Sequence, residues 1–219
     1  MRKMSDESHE NTTRPVLVRG GDQDALGDAF DDYRPRLRRT VQFRLSPRLL
    51  GRVDADDVLQ EAYLAATQRC AHMRGDTEQA LFIWLRMIVL QTLTDVHRRH
   101  LGAKMRDAGR EAARPQLQGA QNTSVSLAAN LIGRFTSPSL AARRAELSEQ
   151  LRATLDGMDP IDREVLALRH FEELTNSEIA EALEIEQKAA SIRYVRALRR
   201  LREILAEMPG FGESLAGGL

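Results

Sequence analysis

The residues in this chain best suited to chemistry with another molecule lie near its C-terminal end. Positions 187–202 hold Lys188, Arg193, Arg196, Arg199, Arg200 and Arg202 and no acid, although 32 basic and 32 acidic residues cancel over the whole chain. At helical spacing, Gln187, Lys188, Ser191, Ile192 and Val195 share one side. Arg193, Arg196, Arg199 and Arg200 flank it. Glutamine can pair with adenine, lysine or arginine with guanine, and arginines at the flanks can reach phosphates. A second group is acidic. In "DADDVLQEAYLAA", from Asp54, the stripe Asp57, Gln60, Glu61, Leu64 and Gln68 starts with carboxylates and has an apolar residue at its middle. Such a stripe is either a solvated helix face or a surface for a basic partner with Leu64 as the apolar contact. A third group, Asp95, His97 and His100, has a spacing that could ligate a metal. It lacks a third ligand on the same face, and Arg98 and Arg99 would repel a cation, so helix-end surface residues are expected. No metal or cofactor is expected. The acids near Asp54 lack the glycine of a calcium loop, and Cys70 falls on a buried stripe as an inert thiol.

The elements that must position these residues are helices. Period-two alternation is scarce and helical spacing is common, so the fold class is all-α. Helices are expected at 25–45, 54–70 with Asp54 as N-cap, 78–99, 139–156, 160–171, 175–183 and 187–206. The first contains Pro35 and runs from acidic to arginine-rich, as the helix dipole favours. Thr175 and Glu178 form a capping box. Ile179, Ala180 and Leu183 give an apolar face, a break at 184–186 follows, and Ala190, Tyr194, Ala197 and Leu201 recur at i, i+4, i+7 and i+11. A short helix, a tight turn and a longer helix with a basic outer face form a helix-turn-helix, whose second helix enters the major groove. An ordinary helical hairpin with a solvated arginine face is the alternative. Glu184 stands where the turn favours glycine, and Glu186 caps the reading helix where its charge would repel phosphate.

The chain divides into a disordered leader (1–21), a helical domain (22–100), a linker (101–137), a second helical domain (138–207) and a frayed tail (208–219). The linker is rich in Gly, Pro, Ser, Asn and Gln, with room for a short helix near 127–132. No apolar run approaches 18 residues, so no membrane insertion is expected, and the polar start lacks a signal-peptide core. One cysteine excludes an internal disulfide and suits a reducing cytoplasm.

Three segments in this order, "DADDVLQEAYLAA", "MRGDTEQALFIWLRMIVLQTLTDVHRRH" and "LDGMDPIDREVLALRHFEELTNSEIAEALEIEQKAASIRYVRALRRL", resemble a bacterial RNA polymerase sigma factor of the sigma-70 family, extracytoplasmic-function group. The resemblance covers about 22–100 and 138–205. It implies a promoter-opening domain and an upstream-element-binding domain on a tether, cytoplasmic and nucleoid-associated. The implied partners are promoter DNA and core RNA polymerase, through its clamp helices and flap, with an anti-sigma factor in many relatives. Control in trans is expected, because the stretch after Met208 is short for a sensory domain. By position, Asp56, Asp57, Gln60 and Glu61 match the helix that docks on the clamp. The loop at 71–80, with Arg74, matches the one that receives a flipped base of the −10 element. The helix of Trp84 matches the one that lies on that element, with Met87, Gln91, Thr94 and Arg98 on one side. Gln91 stands where relatives often carry asparagine. Trp84 reads equally as plain core. Residues 187–196 match the helix in the major groove of the −35 element. Ser191 stands where relatives often carry a basic residue, so an altered preference is expected there.

No phosphate-binding glycine loop and no G-x-S-x-G occurs, and nothing in the pattern supports an enzyme. Two other readings are a stand-alone helix-turn-helix regulator, which predicts palindrome binding without polymerase, and a metal-dependent hydrolase centred on His97 and His100.

Overall fold

The computed structural model describes residues 13–101, 123–135 and 141–208. Among the described residues there are nine α-helices and no strand. They are α1 (Arg14–Arg19), α2 (Gln23–Arg44), α3 (Ala55–Thr67), α4 (Glu78–Leu101), α5 (Thr123–Phe135), α6 (Ala141–Asp156), α7 (Pro160–His170), α8 (Asn176–Leu183) and α9 (Gln187–Glu207). Their starts follow from side chains that satisfy otherwise orphaned N–H groups. Asp22 accepts from Ala25 N at 3.0 Å, Asp54 from Asp56 N at 2.9 Å, and Asp159 from Ile161 N at 2.8 Å. Thr175 and Glu178 close a reciprocal box: Glu178 N donates to Thr175 Oγ1 at 3.3 Å and Thr175 N to Glu178 Oε2 at 2.8 Å. Helix α2 runs through Pro35.

Helices α1 to α4 form one bundle, and α5 to α9 gather around α7 and α9. In α3, Leu59 and Ala66 are buried and Tyr63 is half-buried, as the apolar spacing implies, and Cys70, three residues past its end, is buried in line with them. Two regions differ from the sequence reading. The leader does not extend to 21, because α1 lies within it with Val18 fully buried, and Asp32 and Glu78 both pair with Arg14 at 2.5 Å. A six-residue helix with two buried positions is too short to show a period. The linker contains α5, thirteen residues long, which buries Leu127, Ala128, Leu131 and Ile132 against α6 and α7. The rest of the expected linker, and residues 1–12 and 209–219, lie outside the described residues.

Nor are the two halves simply tethered. One hydrophobic cluster runs from Leu26, Leu59 and Leu85 through Val165, Leu168 and Ile179. A second joins Phe43 of α2 to α5, α6, α7 and α9, with Phe43 and Phe171 stacked at 4.7 Å. Between them lies a buried charge network. Arg44 Nε donates to Glu172 Oε1 at 2.8 Å and Arg86 Nε to Glu172 Oε2 at 2.6 Å. Arg44 also pairs with Glu164, and Thr40 and Thr123 donate to Glu172 at 2.9 Å and Glu164 at 2.6 Å. Burial alone would raise the Glu172 carboxyl; Arg86 and Arg44 outweigh it and hold it down to about 2.

Helix α4 is long and apolar enough by length and composition to cross a membrane, which the sequence reading did not allow for. Two-thirds of that stretch is buried inside the fold, so its apolar character is that of a core helix.

Candidate nucleic-acid interface

The basic helix sits as its spacing implies. In α9, Ala190, Ala197 and Leu201 are buried, and Tyr194 is half-buried with its hydroxyl 3.2 Å from His170 Nε2. The turn before it contains the strain that the sequence foretold. Glu184 adopts φ 53°, ψ 45°, a left-handed conformation that costs a non-glycine residue roughly 1–2 kcal/mol. Ile185 N donates to Ala180 O at 2.9 Å across that turn. Glu186 occupies the N-cap of α9 with no side-chain capping bond.

On the outer side, Gln187 and Lys188 are exposed, as are Ile192 (58%) and Val195 (67%). Two adjacent exposed aliphatic side chains on a basic helix suit contact with thymine methyl groups. Ser191 is partly engaged: Asn176 Nδ2 donates to its hydroxyl at 3.0 Å, and the hydroxyl donates to Gln187 O at 3.2 Å. The arginines divide. Arg193 and Arg196 both bind Asp162 on α7, at 2.7 Å and 2.6 Å. Burial would raise the Asp162 carboxyl, but the two guanidiniums outweigh it and hold it below the usual range. Arg200 pairs with Glu203 at 3.1 Å. Lys188 and Arg199 have no ion pair among the described residues.

A second surface is concave. Trp84, Met87, Gln91 and Thr94 of α4 line a cleft of about 460 Å³ together with His72 and Arg74. Arg74, Trp84, Met87, Gln91 and Thr94, expected to act together, therefore converge. Trp84 is 6% exposed and belongs to the core, and it is also among the residues that line the cleft. Arg98 lies outside the cleft and pairs with Asp95 one turn away. The loop at its mouth turns at Gly75, φ +82°, where a Cβ would come within 2.8 Å of Ala80 Cβ. Only glycine fits there. Arg19 of α1 holds this loop, donating to Asp76 at 2.6 Å and Gly75 O at 3.3 Å.

Sequence reasoning missed Arg19, Arg69 and His72 as contributors to this surface. Arg19 fell in the presumed leader. Arg69 follows α3 and has no periodic link to α4, yet it donates to Gln91 Oε1 at 2.7 Å. The far wall of the cleft is also unforeseen. Glu181, Ala182 and Glu184 of the α8 region close it, tied across by Gln79 to Glu181 at 2.5 Å and Arg36 to Glu178 at 2.8 Å.

The acidic stripe on α3 is exposed, and Leu64 is 57% accessible at its middle. Asp56 is bridged to Arg34 at 3.3 Å and Arg38 at 3.4 Å, and Glu61 to Arg99 at 2.6 Å. Asp57 and Gln60 have no such partner among the described residues and border a groove with Gly27, Phe30 and Tyr63. Cys70 is buried, and burial pushes its thiol up. Asp95 and His100 are at the surface as expected, but His97 is buried, its Nε2 accepting from Ser46 N at 3.2 Å. Among the described residues no group of three or more His, Cys, Asp or Glu side chains could hold a metal.

Residues 154–203 match the family model for sigma-70, region 4, and span α7 and the helix-turn-helix with all of its arginine-rich run. The chain is 26% identical over 192 residues to the ECF RNA polymerase sigma factor SigW of Bacillus subtilis (strain 168), an alignment covering 87% of this chain and 94% of the relative. A solved structure of CnrH in complex with the cytosolic domain of CnrY is similar at 22% identity and a TM-score of 0.49, covering 89% of this chain and 97% of that one.

Proposed function

We infer that this chain, a sigma factor of the extracytoplasmic-function group of the sigma-70 family, binds core RNA polymerase, directs it to promoters through their −10 and −35 elements and promotes transcription initiation. One observation carries the reading. The chain presents two separate DNA-suited surfaces, the outer side of α9 and the cleft along α4, beside an acidic helix with an exposed apolar centre. A stand-alone regulator needs only the first of these.

Gln187, Lys188, Ser191, Ile192 and Val195 face the bases of the −35 element, with Arg193, Arg196, Arg199 and Arg200 toward phosphates. Arg74, Trp84, Met87, Gln91 and Thr94 hold the −10 element, and Arg98 reaches its backbone. The cleft gives an unstacked base somewhere to go. Contacts that exist only in melted DNA offset an unstacking cost of a few kcal/mol, so strand opening needs no catalysis by the factor itself. Asp56, Asp57, Gln60, Glu61 and Leu64 bind the polymerase clamp, and the polymerase flap is the other contact on core. The factor acts in the cytoplasm at the nucleoid, with no enzymatic activity of its own, and an anti-sigma protein is the natural third partner.

The arrangement described here is closed. Glu181 and Glu184 face the cleft where phosphates would run. Use of the −10 surface therefore requires α8 to part from α4 and from α2, breaking the Gln79–Glu181 and Arg36–Glu178 contacts.

Mixing the purified chain with core polymerase tests the reading. A holoenzyme that starts transcription on a selected promoter set is the expected result. Tight DNA binding by the chain alone, with no affinity for core, would refute it.

A further inference from the structure

The cleft along α4 contains two polar side chains whose hydrogen-bonding sense is set by the protein. Arg69 NH1 donates to Gln91 Oε1 at 2.7 Å. A guanidinium only donates, so the contact is possible in one orientation of the amide: oxygen toward Arg69, Nε2 away from it. Gln91 then offers the cleft N–H donors. One turn along, the Thr94 hydroxyl donates its proton to Leu90 O at 2.8 Å. What it has left to offer are lone pairs. Both residues line the cleft, so the protein presents a donor and an acceptor side by side.

Free glutamine has no such polarity, since its amide turns to suit whatever base it meets. Held by Arg69, it discriminates. On its major-groove edge adenine carries an acceptor, N7, beside a donor, the N6 amino group, and complements the pair. On the same edge guanine satisfies Gln91 through N7 or O6 but points a second acceptor at the lone pairs of Thr94. Cytosine offers only its N4 donor there, which suits Thr94 and leaves the donors of Gln91 unpaired.

We propose that Arg69, which touches no base, is a positioning residue that makes Gln91 and Thr94 an adenine reader at one position of the −10 element. The proposal rests on the −10 role given above to the α4 cleft. It assigns the preference to the pairing of α3's C-terminal end with α4 rather than to Gln91 alone.

The test is promoter selection by holoenzyme from a library randomised across the −10 element. The wild-type chain is compared with Gln91→Ala, Arg69→Met and Arg69→Lys. Arg69 is exposed, so its variants are expected to fold, with unchanged thermal melting and unchanged affinity for core. With the wild-type chain one position prefers adenine over guanine and cytosine by about fivefold or more, and Arg69→Met brings that preference to within about twofold while other positions hold. Arg69→Lys, which still donates to Oε1, restores it. A merely structural role would lower binding evenly and leave the preference unchanged. If Gln91→Ala alters one position and Arg69→Met does not, the inference is overturned and the −10 role of the cleft stands. If neither variant alters any position, both fall.

Discussion

Arg86 and Glu172, 86 residues apart in the chain, meet inside the protein with Nε donating to Oε2 at 2.6 Å, and neither side chain is more than 6% exposed. This pair and Arg44 join α2 and α4 to the helix-turn-helix half. A buried ion pair is not in itself a source of great stability, because desolvation opposes it. Removing one partner is another matter, since the other charge stays buried.

Glu172→Ala is therefore expected to destabilise the chain by about 3–5 kcal/mol, on the order of 10 °C in melting temperature. Urea titration with the change in midpoint at constant slope checks it. Because the folded carboxyl lies near 2 and its ordinary value is 4.5, Glu172 contributes stability above pH 4.5 that is lost as the pH falls toward 2. A variant that loses less than about 1 kcal/mol would mean that the network is open to water.

His97 gives a second pH dependence, in a different window. Burial lowers its pKa, so the folded state keeps the imidazole neutral while the unfolded chain protonates near 6.5. Stability is full above 6.5 and falls as the pH drops below it. In His97→Gln, where the amide oxygen can still accept from Ser46 N, the slope of stability between pH 6.5 and the folded value should flatten. Thermal melts at several pH values, wild type against variant, show whether it does.

Asp57 is the exposed carboxylate on α3 that no basic side chain among the described residues neutralises, unlike Asp56 and Glu61. Asp57→Arg is expected to weaken core-polymerase binding by at least about tenfold, with the melting temperature unchanged. Leu64→Ala should weaken it further. Titration of labelled core polymerase at two salt concentrations measures both, and equal affinities would remove α3 from the interface.

Arg196→Ala should weaken −35 recognition by the holoenzyme and lower the salt slope by about one, for one phosphate contact. Asp162 holds both Arg193 and Arg196 in the free chain. Asp162→Asn should release them and raise affinity for the −35 element at low salt. Unchanged binding in both variants would take this side of α9 off the DNA.

The sequence determined the local structure. Asp54, Asp159 and the Thr175–Glu178 box start their helices because an N-terminal N–H needs an acceptor within three residues. Ala190, Ala197 and Leu201 turn inward because a helix repeats every 3.6 residues. The left-handed Glu184 was foreseeable because one break residue had to turn the chain without a glycine. Helix-turn-helix, acidic stripe and α4 stripe were all legible for the same reason: each lies within one element or two consecutive ones.

What the tertiary structure alone decided is how those elements meet. The pairing of Arg69 with Gln91, the hold of Arg19 on the Gly75 loop, the wall that α8 makes for the cleft and the burial of Glu172 between Arg44 and Arg86 all join residues far apart in the chain. None leaves a period or a cap in the sequence. Such contacts depend on the crossing of helices, and crossing is set by side-chain interdigitation over whole faces rather than by any local residue. An exposed arginine and a core arginine look the same until the opposite surface is in place.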